Sequence, residues 1–205
     1  MRIVAGDLRG RTLVAPKGHS TRPTAERVRQ ALFNVLDHAV WSPGLAGRRA
    51  IDLFAGSGAL GLEALSRGAT FCLFADSDPA AVAAVVENIT ALRQDRHCLV
   101  RRWDATRLPS LVPSSAPPKL AMAGAETRAF DLAFLDPPYG AGLVEPTLAT
   151  LIGGGWLAPG ALAVVERGVS EPAPVAPHFE VADSRAWGAA RVWFLRAGPP
   201  AGPLE

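Results

Sequence analysis

Cysteine, methionine and tyrosine are scarce in this 205-residue sequence, with two, two and one copies. Cys72 and Cys98 form no CxxC pair, and two thiols cannot furnish a four-thiolate metal site. Both sit in apolar stretches, so they are expected to be buried free thiols in a reducing, cytoplasmic compartment. Neither follows a proline, which disfavours the Pro-Cys nucleophile of cytosine-C5 chemistry. No His/Cys/carboxylate cluster has ligand spacing, so no metal is expected. No apolar run reaches the ~18 residues of a membrane span. The opening MRIVAGDLRGR lacks the apolar stretch of a secretory signal. Net charge is also small, at +2, which neither demands nor excludes a nucleic-acid partner.

What charge there is lies unevenly. Residues 1–30 hold Arg2, Arg9, Arg11, Lys17, Arg22, Arg27 and Arg29 against Asp7 and Glu26, leaving the remainder net acidic. Val28, Leu32, Val35, Leu36 and Ala39 recur at helical spacing and predict a helix over 24–39. Thr24 is placed as its N-cap. From Ala50 onward short apolar runs (50–55, 71–75, 97–102, 130–135, 161–166) alternate with helical patterns (59–66, 80–92, 143–152). Such alternation means a mostly parallel sheet with helices on both faces. Two extended runs, 179–187 and 191–196, flank Gly188 and read as a closing antiparallel hairpin. The Pro/Ala/Ser-rich stretch 109–129 reads as a long surface loop.

Two constellations carry chemistry. Asp52-Leu-Phe54-Ala-Gly56-Ser-Gly58-Ala-Leu-Gly61 follows a strand and opens a helix, and Asp76 stands twenty residues after Gly56 at the next strand's end. Glycines allow a tight turn and close ligand approach, and an acid at that distance can accept ribose hydroxyls. A nicotinamide-dinucleotide site competes for this pattern. An acid at Asp52, inside the first strand, better suits a cofactor with a cationic ammonium. Asp104, after the third strand, is placed to hold an adenine amine, with a solvated loop aspartate as the plainer alternative. The second constellation is Asp136-Pro137-Pro138-Tyr139, again at a strand end. An exocyclic base amine is a poor nucleophile because its lone pair is delocalised. A carboxylate and a proline-fixed carbonyl can accept its two N–H bonds and aim the lone pair. Tyr139 can stack on the extruded base.

These motifs resemble the class I methyltransferases that carry D/N-P-P-Y/F. The segments RIVAGDLRGRTL, RPTAERVRQALFNVL and DLFAGSGALGLEALSRGA narrow the resemblance to the bacterial 16S rRNA guanine-N2-methyltransferase family of the RsmD type. FDLAFLDPPYGAGL, GWLAPGALAVVE and WGAARVWFLR extend it along nearly the whole chain outside the 109–129 stretch. The resemblance implies a Rossmann-like α/β fold: a mostly parallel, twisted seven-stranded sheet ending in an antiparallel hairpin. It implies S-adenosyl-L-methionine as cofactor, held by Asp52, Phe54, Gly56, Gly58, Asp76 and Asp104. Asp136, Pro137, Pro138 and Tyr139 would present the guanine. Arg9, Arg11, Arg22, Thr24, Arg27 and Arg29 would contact RNA, as part of a basic 1–40 extension packed on a 41–205 catalytic domain. The implied partner is 16S rRNA or a small-subunit assembly intermediate, met by a monomer. DNA adenine-N6 methylation and a non-catalytic RNA-binding assembly factor stand as alternatives.

Overall fold

A computed structural model describes residues 1–16, 23–111 and 128–198, the side chains of 23–25 excepted. In chain order the elements are α1 (Pro23–His38), β1 (Arg49–Leu53), α2 (Ala59–Ser66), β2 (Phe71–Asp76), α3 (Pro79–Leu92), β3 (Cys98–Arg102), β4 (Phe130–Leu135), α4 (Val144–Gly153), β5 (Leu157–Gly168), β6 (Phe179–Trp187) and β7 (Ala190–Ala197). The strands form one sheet in the order β3-β2-β1-β4-β5-β7-β6, in which β7 alone runs against its neighbours. The alternating pattern thus gives the expected sheet, and Gly188 turns the β6–β7 hairpin with φ +62°.

Two cores follow from the two-residue period of the strands. Ala50, Cys72, Phe74, Leu132, Phe134, Leu162 and Val164 face one side, under α1, α2 and α3. Ile51, Leu73, Ala133, Leu135, Ala163 and Val165 face the other, under α4 and the Phe130–Trp156 pair. Both faces of these strands are buried, which is why they read as unbroken apolar runs. Gly61 sits where α2 crosses the sheet: a Cβ there would lie 2.4 Å from the Phe74 ring and 2.5 Å from Cys72 Sγ.

Some details differ from expectation. The first helix begins at Pro23, so Thr24 lies inside it and is not its cap; proline suits the first turn because it lacks an N–H that would go unpaired. β5 begins four residues earlier than its apolar run. Cys72 is fully buried, but Cys98 is only partly so. Burial pushes its thiol up to about 12, so it stays protonated near neutrality. Of the 109–129 stretch, residues 112–127 lie outside the described residues.

Residues 1–16 cross the α1/α2/α3 side of the molecule. Arg2 and Thr12 form a bridge, and Ile3 and Leu13 enter the core. One buried carboxylate is a hub of the fastening. Glu63 of α2 accepts the backbone N–H groups of Val4 (2.8 Å) and Ala5 (3.0 Å) and pairs with Arg67 (2.9 Å) and Arg29 (3.6 Å). Asn88 of α3 takes the N–H of Val14 at 2.8 Å, and its amide donates to the carbonyls of Val14 and Ser57, both at 2.9 Å. This second clamp ties the N-terminal segment to the glycine loop after β1.

Candidate active site

Strand order reverses between β1 and β4, and ligands of open α/β sheets bind at the carboxyl edge of such a switch point. Both constellations sit there. After β1 the chain turns through Phe54 (φ +61°), Gly56 (φ +56°) and Gly58 (φ +78°) into α2. The positive φ values explain the glycines at 56 and 58; Phe54 adopts the same region without that freedom.

Asp76, at the end of β2, holds this loop. Its two carboxylate oxygens accept the N–H groups of Gly56 and Asp78, each at 2.9 Å. Each oxygen keeps a second lone pair for another donor. Asp104 follows β3 and caps a short 3₁₀ turn, accepting from Thr106 N (2.9 Å) and Thr106 Oγ1 (2.7 Å). The Thr106 hydroxyl bond leads the causes that hold its carboxyl below the usual range.

Asp52 is placed differently from expectation. It is 1% exposed, beneath the loop, and accepts the Gly61 N–H at 2.9 Å. Gly58, at the N-cap position of α2, has no side chain to do this, so the strand acid satisfies a helix N–H from below. Direct contact with a ligand is therefore corrected to support of the loop. Burial, and then the charges of Asp136 and Asp76, hold its carboxyl well above the usual range.

Asp136 follows β4 on the same face as Asp52, because Asp52 pairs with Phe134 two residues before it. Its side chain reaches solvent but is hemmed in by protein. Desolvation, and then the neighbouring Glu166, push its carboxyl up to about 7. Glu166 was not singled out from the sequence. It stands beside Asp136 because Leu135 and Val165 are paired partners and each acid is the next residue along the chain. The signal was available: Glu166 ends an apolar run at the carboxyl edge, as Asp76 and Asp136 do. Tyr139 Oη donates to Glu166 Oε1 at 2.6 Å, and its ring is half exposed. Burial and that bond raise the phenol pKa. A recess of about 260 Å³ opens here, lined by Pro137, Pro138, Tyr139, Glu166, Arg167 and Glu171 among others. Glu171 Oε1 ties its rim together by accepting from Gly140 N (3.2 Å) and Gly168 N (3.0 Å).

The basic N-terminal residues divide. Arg9 and Arg27 are exposed and, with Arg2, Glu26 and Gln30, line a second recess of about 480 Å³ between the N-terminal segment and α1. Arg11 is exposed and reaches the carbonyl of Ala91 at 2.8 Å. Arg29 is 4% exposed, pairs with Glu63 and donates to the Arg2 carbonyl, so its expected RNA contact is corrected to an internal one. Val28 and Leu32 mark one inward face of α1, and Arg29 is nevertheless internal because Glu63 gives its charge a buried partner. Arg22 lies outside the described residues, as does the side chain of Thr24. Among the described residues no cluster of metal-ligating side chains occurs, and no helix is long and apolar enough to cross a membrane.

A sheet in this strand order, with a glycine loop and an acidic DPPY turn meeting at its switch point, is that of a class I methyltransferase, the S-adenosylmethionine-dependent class. More narrowly, the chain belongs to the family described as Conserved hypothetical protein 95, whose model matches residues 1–196. It is 41% identical over 139 residues to the Bacillus subtilis candidate rRNA methyltransferase YlbH, covering 68% of this chain and 67% of that one. It is 37% identical over 177 residues to ribosomal RNA small subunit methyltransferase D of Escherichia coli strain K12, covering 86% and 79%. Among solved structures, the Escherichia coli candidate methyltransferase yhhF superposes with a TM-score of 0.77 at 30% identity, covering 97% of this chain and 98% of that one.

The residues present fit the cofactor of that class. A Cβ at Gly56 would meet nothing nearer than the Phe54 carbonyl at 4.0 Å, so the outer side of the loop is open. Asp76 and Asp136 are among the charges that hold Asp52 above its usual range, so the site carries an excess of carboxylates that a cationic ligand relieves.

Proposed function

We propose that this protein transfers the methyl of S-adenosylmethionine to the exocyclic N2 amine of a guanine in 16S rRNA, in the bacterial cytoplasm. The observation that carries the reading is Asp136, on a proline-rigid turn one strand from the glycine loop and beside the recess that contains Tyr139. S-adenosylmethionine supplies an electrophilic methyl on a sulfonium. The chain's task is to bind and orient. The Phe54–Gly58 loop and Asp76 hold the methionine and ribose ends, and Asp104 lies toward the adenine. Asp136 and the Pro137 carbonyl accept the two N–H bonds of the amine and aim its lone pair, while Tyr139 stacks on the base. Residues 1–40 serve as the RNA-contacting extension and 41–205 as the catalytic domain, working as a monomer. The names of the Bacillus subtilis and Escherichia coli relatives support rRNA as the substrate.

Labelled S-adenosylmethionine is offered with small ribosomal subunits, free 16S rRNA and duplex DNA, and the product nucleoside is identified. N2-methylguanosine formed with a ribosomal substrate is expected, and the arm that yields it tells free rRNA from an assembled particle. Methyladenine in DNA would overturn the substrate, and RNA binding without transfer to any arm would favour an assembly factor.

Two further outcomes are expected. Alanine at both Arg9 and Arg27 should weaken RNA binding and lower the salt slope by about 1.4, from about 0.7 per lost phosphate contact on single strands. Cofactor affinity should not move; a salt titration that superposes on wild type removes this cleft from the RNA footprint. The second concerns pH. A carboxyl raised to about 7 is protonated below that value and then has one oxygen acting as donor. Turnover at limiting cofactor should therefore fall as pH drops through 7. At saturating cofactor the cation favours the ionised form, and the midpoint should move to lower pH. Asp136→Asn, which cannot titrate, should remove the Asp136 part of this acid limb, leaving only what Glu166 contributes, while keeping measurable activity.

A further inference from the structure

We propose that Glu166 is a specificity-determining residue, whose carboxylate accepts the ring N1–H of the guanine while Asp136 engages the N2 amine. This rests on the reading of guanine N2 as acceptor and names the group that selects that base.

Placement comes first. Asp136 and Glu166 follow the paired residues Leu135 and Val165 on adjacent parallel strands, so their side chains leave the same face side by side. Neighbouring strands lie about 4.8 Å apart. From backbones at that spacing the two side chains can converge on adjacent donors of one base edge. Orientation comes second. The 2.6 Å bond from Tyr139 Oη puts the Glu166 carboxylate at the edge of the Tyr139 ring. A base stacked on that ring brings its own edge toward the same carboxylate. Glu166 and Tyr139 also line the same 260 Å³ recess, so no second site is needed.

Base chemistry then decides. Guanine presents N1–H beside its N2 amine, two donors in a row. Adenine presents a bare N1 lone pair beside N6, and cytosine a bare N3 beside N4. An ionised carboxylate only accepts, so it pairs with guanine and faces a lone pair in the other two. A mismatch of that kind leaves a desolvated charge unpaired, the larger penalty in hydrogen-bond discrimination. In the free protein the two carboxyls each hold a proton more tightly than usual, through burial and, for Asp136, the charge of Glu166. Two N–H donors from one guanine edge would favour the ionised form of both carboxyls.

The test uses 2-aminopurine, which keeps the N2 amine but has a lone pair at N1. The guanosine that the wild-type protein methylates is mapped first and then replaced by 2-aminopurine riboside in the RNA. Wild type is expected to prefer guanine in kcat/KM by about 10–100-fold, the range for a lost hydrogen bond to a charged group. Glu166→Gln keeps an acceptor for Tyr139 and gains an amide donor that suits a bare N1. It should cut that preference at least tenfold, chiefly by lowering the guanine value. Glu166→Ala should bring the two substrates level. Tyr139→Phe should slow both substrates and leave their ratio in place. Competition binding of the two RNAs, followed by 2-aminopurine fluorescence without turnover, should show the same loss of preference. If the Glu166 variants slow both substrates equally, or the binding preference survives, Glu166 merely anchors Tyr139 and the proposal is overturned. If wild type yields a product other than N2-methylguanosine, the functional reading fails at the mapping step, and this inference falls with it.

Discussion

Asp136→Ala should bind S-adenosylmethionine and RNA and yet transfer methyl at least about 10²-fold more slowly than wild type, the scale of losing orientation at a reacting centre. The expectation rests on a division of labour in the site. Loop position is set by Asp76, which takes the Gly56 N–H, and by Asp52, which takes the Gly61 N–H; neither bond involves Asp136. Asp136 stands at the end of β4 with no part in the packed cores. Removing its carboxylate takes away an acceptor for the amine and lowers the negative charge around Asp52, and leaves the strand and turn in place. Calorimetry of cofactor binding and single-turnover transfer are the two measurements. Near-normal turnover would falsify the role of Asp136 as the group that orients the amine. Weakened cofactor binding with unchanged transfer would move Asp136 to the cofactor side of the site.

Glu63→Ala should be the most destabilising single substitution outside the sheet. Glu63 is fully buried and satisfies two backbone N–H groups, and its ion pairs reach two arginines, Arg29 and Arg67. Removing one partner of a buried charge network costs about 3–5 kcal/mol, because the remaining charges stay buried without compensation. In a chain of this size each kcal/mol shifts the melting temperature by about 2–4 °C, so a fall of roughly 6–20 °C is expected. Arg67 keeps Asp37 at 2.7 Å, which softens the loss on that side. Arg29 keeps the Arg2 carbonyl, the Met1 sulfur and the nearby charge of Glu26, and the backbone at Val4 and Ala5 loses its acceptor. Thermal unfolding by circular dichroism measures the fall, and Glu63→Gln should recover part of it. A change of less than 2 °C would show that Ile3, Leu13 and the Asn88 clamp hold the segment without Glu63.

Much of this molecule was legible in one dimension. Strands buried on both faces need apolar residues at successive positions, and 71–75 and 132–135 show it. Sharp turns at strand ends need glycine or an acid, and Gly56, Gly58, Asp76 and Asp136 show that. The resemblance to a known family carried the seven-stranded count, which spacing alone leaves open, and the strand order came with the structure. Pairing partners were not legible. Glu63 looks like an ordinary helix glutamate, and nothing in its neighbourhood in sequence says that Val4, Ala5 and Arg29 converge on it from up to 59 residues away. Arg29 was misread for the same reason: helical spacing says which way a side chain leaves, not what it meets.

The sequence by itself determined the α/β alternation, the two acidic turn motifs and the class of chemistry, because local backbone conformation and reactive groups are properties of short segments. Only the tertiary structure decided that Asp52 supports the loop from below, that Arg29 is internal, and that Glu166 stands beside Asp136. Those facts depend on which strand lies next to which, and burial is a property of the assembled sheet and helices, not of any segment within them.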